Sequence, residues 1–152
     1  MSIKPTIVFV PGAWHAPGGF RLVREALHNR GWNTEAVTLP SVGAEPPTKG
    51  IPDDEEAVRS VLEPLIEEGK QVVLVVHSYG SLPGAHAVRG LGYQQRQKGG
   101  KTGGVITILY LAAFATLAGQ SLYGNLGGKW LPWFRVEVRN SPNSSRDCLV
   151  QT

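Results

Sequence analysis

Cysteine, long apolar runs and concentrated charge are all scarce in this chain of 152 residues. The single cysteine, Cys148, excludes an intrachain disulfide and a zinc site built from cysteines. No apolar run approaches the roughly 18 residues that a membrane-spanning helix needs, and no basic segment followed by an apolar one indicates a secretory leader. We therefore expect a cytoplasmic protein with no membrane partner.

Charged residues make up 18% of the sequence and leave a net charge of only +3. The basic residues are scattered and form no stripe interleaved with aromatics, so nucleic acid is not an expected partner. The acidic residues cluster at 53–56 and 63–68, where they open or cover a predicted helix. A solvated helix face explains this cluster better than a metal site does, and we expect no bound metal.

Apolar runs typical of buried strands alternate with segments of helical periodicity. Branched apolar residues predict strands over 6–10, 32–39, 72–76 and 105–111. Apolar residues at helical spacing predict helices over 20–28, 52–68 and 79–89, and the polar segment 90–104 is predicted to be a linker. This alternation is typical of an α/β fold with a parallel β-sheet covered by helices on both faces.

The strand predicted at 72–76 runs directly into His77-Ser78-Tyr79-Gly80-Ser81, a pattern typical of a nucleophile elbow. In such an elbow a strand turns sharply into a helix, and the serine at the apex points its hydroxyl above the sheet. Small residues are needed two positions before and after the serine, because strand and helix pass close together. Gly80 meets this need, but Val76 stands where glycine is usual.

A serine nucleophile also needs donors for the oxyanion that forms on its substrate. The backbone N–H of Tyr79 is one candidate, since it opens the helix after the serine. The loop after the first strand, Pro11-Gly12-Ala13-Trp14-His15, is expected to supply the other through the N–H of Ala13. The alternative interpretation of Ser78 is a small residue in a strand-to-helix turn. His77 is expected to pack beneath the elbow.

The motifs at 11–15 and 77–81 together resemble those of the α/β-hydrolase superfamily, over about residues 5–114. More narrowly, the chain resembles the branch of plant methylesterases and hydroxynitrile lyases with their bacterial and fungal relatives. The resemblance implies the N-terminal part of an α/β-hydrolase fold that hydrolyses small, fairly apolar esters through an acyl-serine, without metal or organic cofactor. It implies these site residues: the nucleophile Ser78, the oxyanion donors Ala13 and Tyr79, and the acyl-pocket residues Trp14 and His15.

The sequence departs from this superfamily in the rest of the catalytic triad. There an acid follows a later strand and a histidine follows the last strand. Beyond Ser78 this chain has only His86, on the predicted elbow helix, and one aspartate, Asp147. We therefore expect a C-terminally truncated chain with impaired activity. Two alternatives stay open, a non-catalytic ligand-binding protein and a lyase of the hydroxynitrile-lyase type.

The predicted organisation is a single partial domain over 1–152. Residues 115–139 are expected to begin a lid, and the polar, turn-prone residues 140–152 are expected to form an irregular tail. A sheet without its later strands has an open edge, and open edges pair readily with other chains. Self-association through this edge is therefore an expected interaction, beside binding of the small ester-like substrate.

Overall fold

The computed structural model of the protein describes residues 4–117, 119–132, 135–139 and 147–151. The chain separates into two compact units, Met1–Ala115 and Thr116–Thr152, close to where the lid was predicted to begin. The single partial domain and the lid themselves stay predictions. Among the described helices, none is both long enough and apolar enough to cross a bilayer.

The first unit has the predicted α/β architecture. Its four strands are parallel throughout and pair in the order β2-β1-β3-β4. Short 3-10 turns at Pro17–Phe20 and Ser78–Gly80 lead into helices α1 and α3. The elements in chain order are β1 (Thr6–Val10), α1 (Arg21–His28), β2 (Thr34–Ala36), α2 (Ile51–Glu67), β3 (Gln71–His77), α3 (Ser81–Ala87), α4 (Tyr93–Lys98) and β4 (Gly104–Leu111).

One side of this sheet, here called the core face, is covered over β1 and β3, whereas at the edge strand β4 it is partly open, with Tyr110 44% exposed. Alternate residues of a strand point to the same side, and every apolar core-face residue of β1 and β3 is completely buried. Helix α2 adds a stripe at a spacing of four residues, which lies on one side of a helix. The core-face residues are Val8, Val10, Val72, Leu74 and Val76, and the α2 stripe is Val58, Leu62 and Ile66.

The opposite side, here called the open face, carries Ile7 and Phe9 of β1, Val73 and Val75 of β3, and Leu109 and Leu111 of β4. Phe9 packs against Phe20 with ring centroids 4.8 Å apart. Because Phe20 directly precedes α1, this contact places the start of α1 on the open face. Helix α1 itself buries no residue. Helices therefore flank both faces, as predicted, but they cover the open face only in part.

The segment 90–104, predicted to be a polar linker, contains the short helix α4. Its Arg96 is 7% exposed, although arginine is rarely buried without partners. The guanidinium donates to the carbonyl oxygens of Thr102 and Gly103 and forms an ion pair with Glu67 at 3.0 Å. These bonds hold the segment against α2, and the linker prediction is wrong for Tyr93–Lys98.

The second unit contains a short helix, α5 (Leu122–Asn125), and two strands, β5 (Arg135–Arg139) and β6 (Asp147–Gln151), which pair antiparallel. The irregular tail predicted for 140–152 is therefore wrong for Asp147–Gln151, while residues 140–146 and 152 lie outside the described part of the chain. The alternation Arg-Val-Glu-Val-Arg in β5 is the period-two signal of a strand. A partner nearby in sequence completes the pair.

Candidate functional site

Ser78 lies immediately after the carboxyl end of β3, where a 3-10 turn leads into α3. Its φ angle is 49°, in the left-handed region that residues with a β-carbon seldom occupy. Strand, strained serine and helix therefore follow one another as the elbow pattern predicts. The backbone turn directs Ser78 to the carboxyl ends of the parallel strands, where open α/β sheets place their ligand sites.

Two glycines make room for this turn. A β-carbon at Gly80 would lie 2.2 Å from the carbonyl oxygen of Pro11, which excludes any side chain. At Gly84 of α3 a β-carbon would lie 2.6 Å from Cγ1 of Val76. The valine that replaces the usual glycine of the elbow therefore fits because the helix facing it has no side chain there. The need for a small residue is met on the helix instead of on the strand.

The loop after β1 approaches Ser78 closely. A β-carbon at Gly12 would lie 3.0 Å from Cβ of Ser78 and 2.9 Å from Nδ1 of His77, so a side chain here would force these neighbours to shift. The loop turns at once, since the N–H of His15 donates to the carbonyl oxygen of Gly12 at 3.2 Å, and Trp14 has a left-handed φ of 62°. The two sequence motifs are thus brought together at one end of the sheet.

None of the four histidines is hydrogen-bonded to the Ser78 hydroxyl within the described part of the chain. The Nδ1 atom of His15 lies 2.7 Å from the carbonyl oxygen of Ala13, and its ring meets that of His77 edge to face, with centroids 5.7 Å apart. His86 lies 3.6 Å from a carboxylate oxygen of Glu55. The described residues therefore hold no base paired with Ser78.

Behind the elbow lies a buried polar network that the sequence did not indicate. Asp54, in the first turn of α2, is completely buried. Its carboxylate accepts from the N–H of Ser41 at 2.9 Å, from the Ser41 hydroxyl at 2.6 Å and from the Tyr79 hydroxyl at 2.7 Å. The solvated face predicted for the acidic cluster is wrong for Asp54, which lies four residues before Val58 on the buried stripe of α2.

Tyr79 is held in this network in its neutral form. Burial raises the pKa of its hydroxyl well above the ordinary value near 10, and the hydrogen bond to Asp54 and the charge of that carboxylate raise it further. On the other side of the turn, the buried hydroxyl of Ser81 donates to the carbonyl oxygen of Ser78 at 2.8 Å and accepts from the N–H of Phe114 at 3.2 Å. Side chains therefore brace the elbow on both sides.

The predicted acyl-pocket residues Trp14 and His15 are both exposed, Trp14 by 45%. Two concavities lie elsewhere in the first unit, one beside α4 and β4 and one at the amino ends of the strands, and neither includes Ser78. Among the described residues no group of histidine, cysteine or acidic side chains could hold a metal ion. Ser78 itself is half-buried at the strand ends.

Two curated fungal proteins are similar to this chain. Alpha/beta hydrolase nvfD of Aspergillus novofumigatus is 36% identical over 124 residues, which cover 82% of this chain and 49% of that protein. Probable hydrolase R7 of a Phoma species is 28% identical over 128 residues, with 83% and 49% covered. The chain thus spans about half the length of these relatives.

Two solved structures share the fold. An extracellular alpha/beta-hydrolase from a Paenibacillus species, described as sharing structural and functional homology with tobacco salicylic acid binding protein 2, has a TM-score of 0.58 at 19% identity, covering 80% of this chain and 46% of that one. Tomato methylketone synthase I in complex with 2-tridecanone has a TM-score of 0.66 at 17% identity, covering 99% and 58%.

A family model described as the alpha/beta hydrolase family matches residues 7–146, nearly the whole sequence. The match spans both the loop at 11–15 and the elbow at 77–81, so it includes the two motifs that meet at Ser78. The parallel sheet, the elbow and the relatives agree with it. The chain belongs to the alpha/beta hydrolase family.

Proposed function

We propose that this chain carries the nucleophile and oxyanion donors of a serine hydrolase that acts on small, fairly apolar esters. The observation that carries the proposal is the strained Ser78 at a strand end, with the backbone of Gly12 packed against it. Left-handed strain at such a position is maintained only where the surrounding structure enforces it, and it is common at reactive centres. We expect slow turnover by this chain, because among the described residues no base is paired with the serine.

The reaction would begin when Oγ of Ser78 attacks the ester carbonyl carbon. The hydroxyl proton passes to a base, and the negative charge that develops on the carbonyl oxygen is stabilised by the N–H groups of Ala13 and Tyr79. The C–O bond to the alcohol then breaks, the alcohol leaves with a proton, and an acyl-serine remains. Attack by water on this ester releases the acid and restores the hydroxyl.

The preference for apolar acyl groups is supported by Trp14, a residue 45% exposed in the loop that approaches Ser78. Exposed tryptophan next to a reacting centre offers apolar contact area at low entropic cost. Among the structural neighbours, tomato methylketone synthase I binds 2-tridecanone, a long apolar ketone. We propose a related preference here, with Trp14 and His15 lining the acyl side.

The test is covalent labelling of Ser78 by an alkyl fluorophosphonate, followed by mass spectrometry of intact protein and peptides. We expect slow labelling at Ser78 alone, accelerated roughly tenfold by added imidazole, because a free base supplies the proton acceptor that the site lacks. The Ser78→Ala protein, matched in every other respect, should take up no label with or without imidazole.

Equal labelling of the wild type and Ser78→Ala proteins would refute the proposed nucleophile. In that case, apolar esters that still bind to both proteins near Trp14, detected by quenching of tryptophan fluorescence, would favour the non-catalytic ligand-binding alternative.

A further inference from the structure

We infer that Asp54 is a positioning residue of this acyl-transfer site and acts through Tyr79. The inference rests on the proposed function, since it concerns the residue whose backbone N–H is the proposed oxyanion donor after Ser78. It extends the site to helix α2, which carries Asp54 in its first turn. The side chain of Tyr79 connects the two.

Because Asp54 is completely buried, its carboxylate depends on its few hydrogen-bond donors. A completely buried carboxylate is costly unless its oxygens are hydrogen-bonded. Within the described part of the chain, Asp54 accepts three hydrogen bonds from two residues, Ser41 and Tyr79. An ionised carboxylate only accepts hydrogen bonds, so the Tyr79 hydroxyl must point its proton at Asp54. The 2.7 Å separation is that of a strong, charge-assisted bond.

Anchoring the ring also limits movement of the Tyr79 peptide, because both belong to one residue in a turn of three. The next residue, Gly80, packs closely against the carbonyl oxygen of Pro11, so the turn cannot move toward the loop after β1. An oxyanion donor is effective only when it is already oriented toward the developing charge. A misplacement of about 1 Å can reduce a rate by roughly 100-fold.

Ser41 makes this arrangement testable without unfolding the protein. It lies in the loop after β2 and donates twice to Asp54, so the carboxylate keeps two hydrogen bonds when the Tyr79 hydroxyl is removed. Tyr79→Phe therefore releases the ring from Asp54 while the ring itself still packs against the core. Asp54→Asn is the reciprocal change, with a similar side-chain volume.

The experiment measures phosphonate labelling of the full chain in the presence of imidazole, as a function of phosphonate concentration. We expect Tyr79→Phe and Asp54→Asn to lower the maximal rate constant roughly tenfold or more while the half-saturating concentration stays within about twofold, since orientation of a donor acts on the transition state. The matched control is Tyr93→Phe, which removes a hydroxyl bonded to Gln97, away from the elbow. Its labelling should equal that of the wild type.

A second measurement does not depend on labelling of Ser78. Backbone ¹⁵N order parameters at residues 78–80 should fall from the rigid value of about 0.85 in Tyr79→Phe and Asp54→Asn, but not in Tyr93→Phe. Unchanged order parameters together with an unchanged maximal rate would overturn the positioning role. An equal loss of rate in Tyr93→Phe would also overturn it, by showing a general effect of lost hydroxyls.

The experiments can refute the proposed function and the positioning role of Asp54 independently. If the wild type labels no faster than Ser78→Ala, the proposed function fails, and the order parameters still decide whether Asp54 positions the turn. If Ser78 labels as proposed but Tyr79→Phe changes neither measurement, only the positioning role is lost. Should Asp54→Asn fail to fold, Tyr79→Phe alone gives both readouts.

Discussion

The core face and the open face of the sheet are built from the same residue types, yet they differ in cover. Each apolar core-face residue of β1 and β3 is completely buried under α2 and α3, whereas Ile7 and Val73 on the open face are only half-buried. On the edge strand β4 both faces are exposed, Tyr110 by 44% and Leu109 by 49%. Helix α1 leaves Leu22 exposed by 69%. Apolar sequence alone therefore does not determine burial, because a strand residue is buried only if a covering element is present.

The better-packed face is also the one that supports the candidate site. Asp54 continues the buried stripe of α2, and Gly84 of α3 accommodates Val76 beneath the elbow. Tyr79 packs against the same core. The strained backbone of Ser78 can be maintained here, because closely packed side chains resist movement of the turn.

The largest expected contrast is between two leucines on adjacent strands. Leu74→Ala empties a fully buried position of the core face and should lower the unfolding free energy by about 2–5 kcal/mol. Leu109→Ala is the same chemical change on the open face and should cost about 1 kcal/mol or less, because half of that side chain is already in water. Urea unfolding measures both, and equal losses would show that the difference in burial between these two positions does not determine the cost.

A smaller effect, with a change of sign, is expected at Gly84. The added methyl of Gly84→Ala meets Val76 and should destabilise the protein by about 1–3 kcal/mol, partly offset by the better helix propensity of alanine. In a Val76→Ala background the clash is gone, so the same substitution should stabilise by up to about 1 kcal/mol. Additive effects in the double-mutant cycle would show that the two positions do not compensate each other.

Weak self-association is expected at the exposed edge of β4. Within the described residues this strand pairs with β3 and, beyond one bridge from Val105 to Gly92, has no partner on its outer edge. We propose that copies pair there, so Leu109→Lys should reduce the concentration-dependent dimer seen by sedimentation velocity, since charge discourages edge pairing. Leu22→Lys, on α1, is the control and should not. A wild type that stays monomeric at all concentrations would exclude this pairing.

The smallest expected effect is on the pH dependence of stability. Because the folded-state pKa of Tyr79 is raised, the contribution of its hydroxyl is fully present below the ordinary pKa near 10. Above that pH the unfolded chain loses the proton while the folded chain retains it, so stability falls as pH rises. Thermal unfolding between about pH 9 and pH 11 should therefore decline less steeply in Tyr79→Phe than in the wild type. Parallel curves would contradict the burial of this hydroxyl in its neutral form.

Local patterns were sufficient to predict the sheet and the elbow. The branched apolar run of β3 ending at Ser78, together with Gly12 and Gly80, follows from strand periodicity and from the space that a tight turn requires. By contrast, Asp53 and Asp54 are neighbours with the same side chain but opposite environments. Asp53 bonds Lys49 and the N–H of Gly50 at the helix start, as the helix dipole predicts.

Asp54 was missed because its burial depends on Ser41 and Tyr79, which are distant in sequence. Its spacing of four residues from Val58 was the available signal. The compensation between Val76 and Gly84 is likewise a matter of tertiary packing that no local pattern encodes. The alternation in β5 could have been recognised from the sequence, since its period is local.

The central proposal is that Ser78 and its oxyanion donors are in place, while no base among the described residues is paired with the serine. Hydrolysis of p-nitrophenyl acetate by the wild type and by Ser78→Ala tests it most directly. We predict a wild-type rate barely above background that Ser78→Ala changes little, because without a base the donors and binding alone supply at most a residual of roughly 10³ to 10⁴ over water. Robust hydrolysis abolished by Ser78→Ala would contradict the claim and would show that these residues supply a base, with His15 the first to substitute.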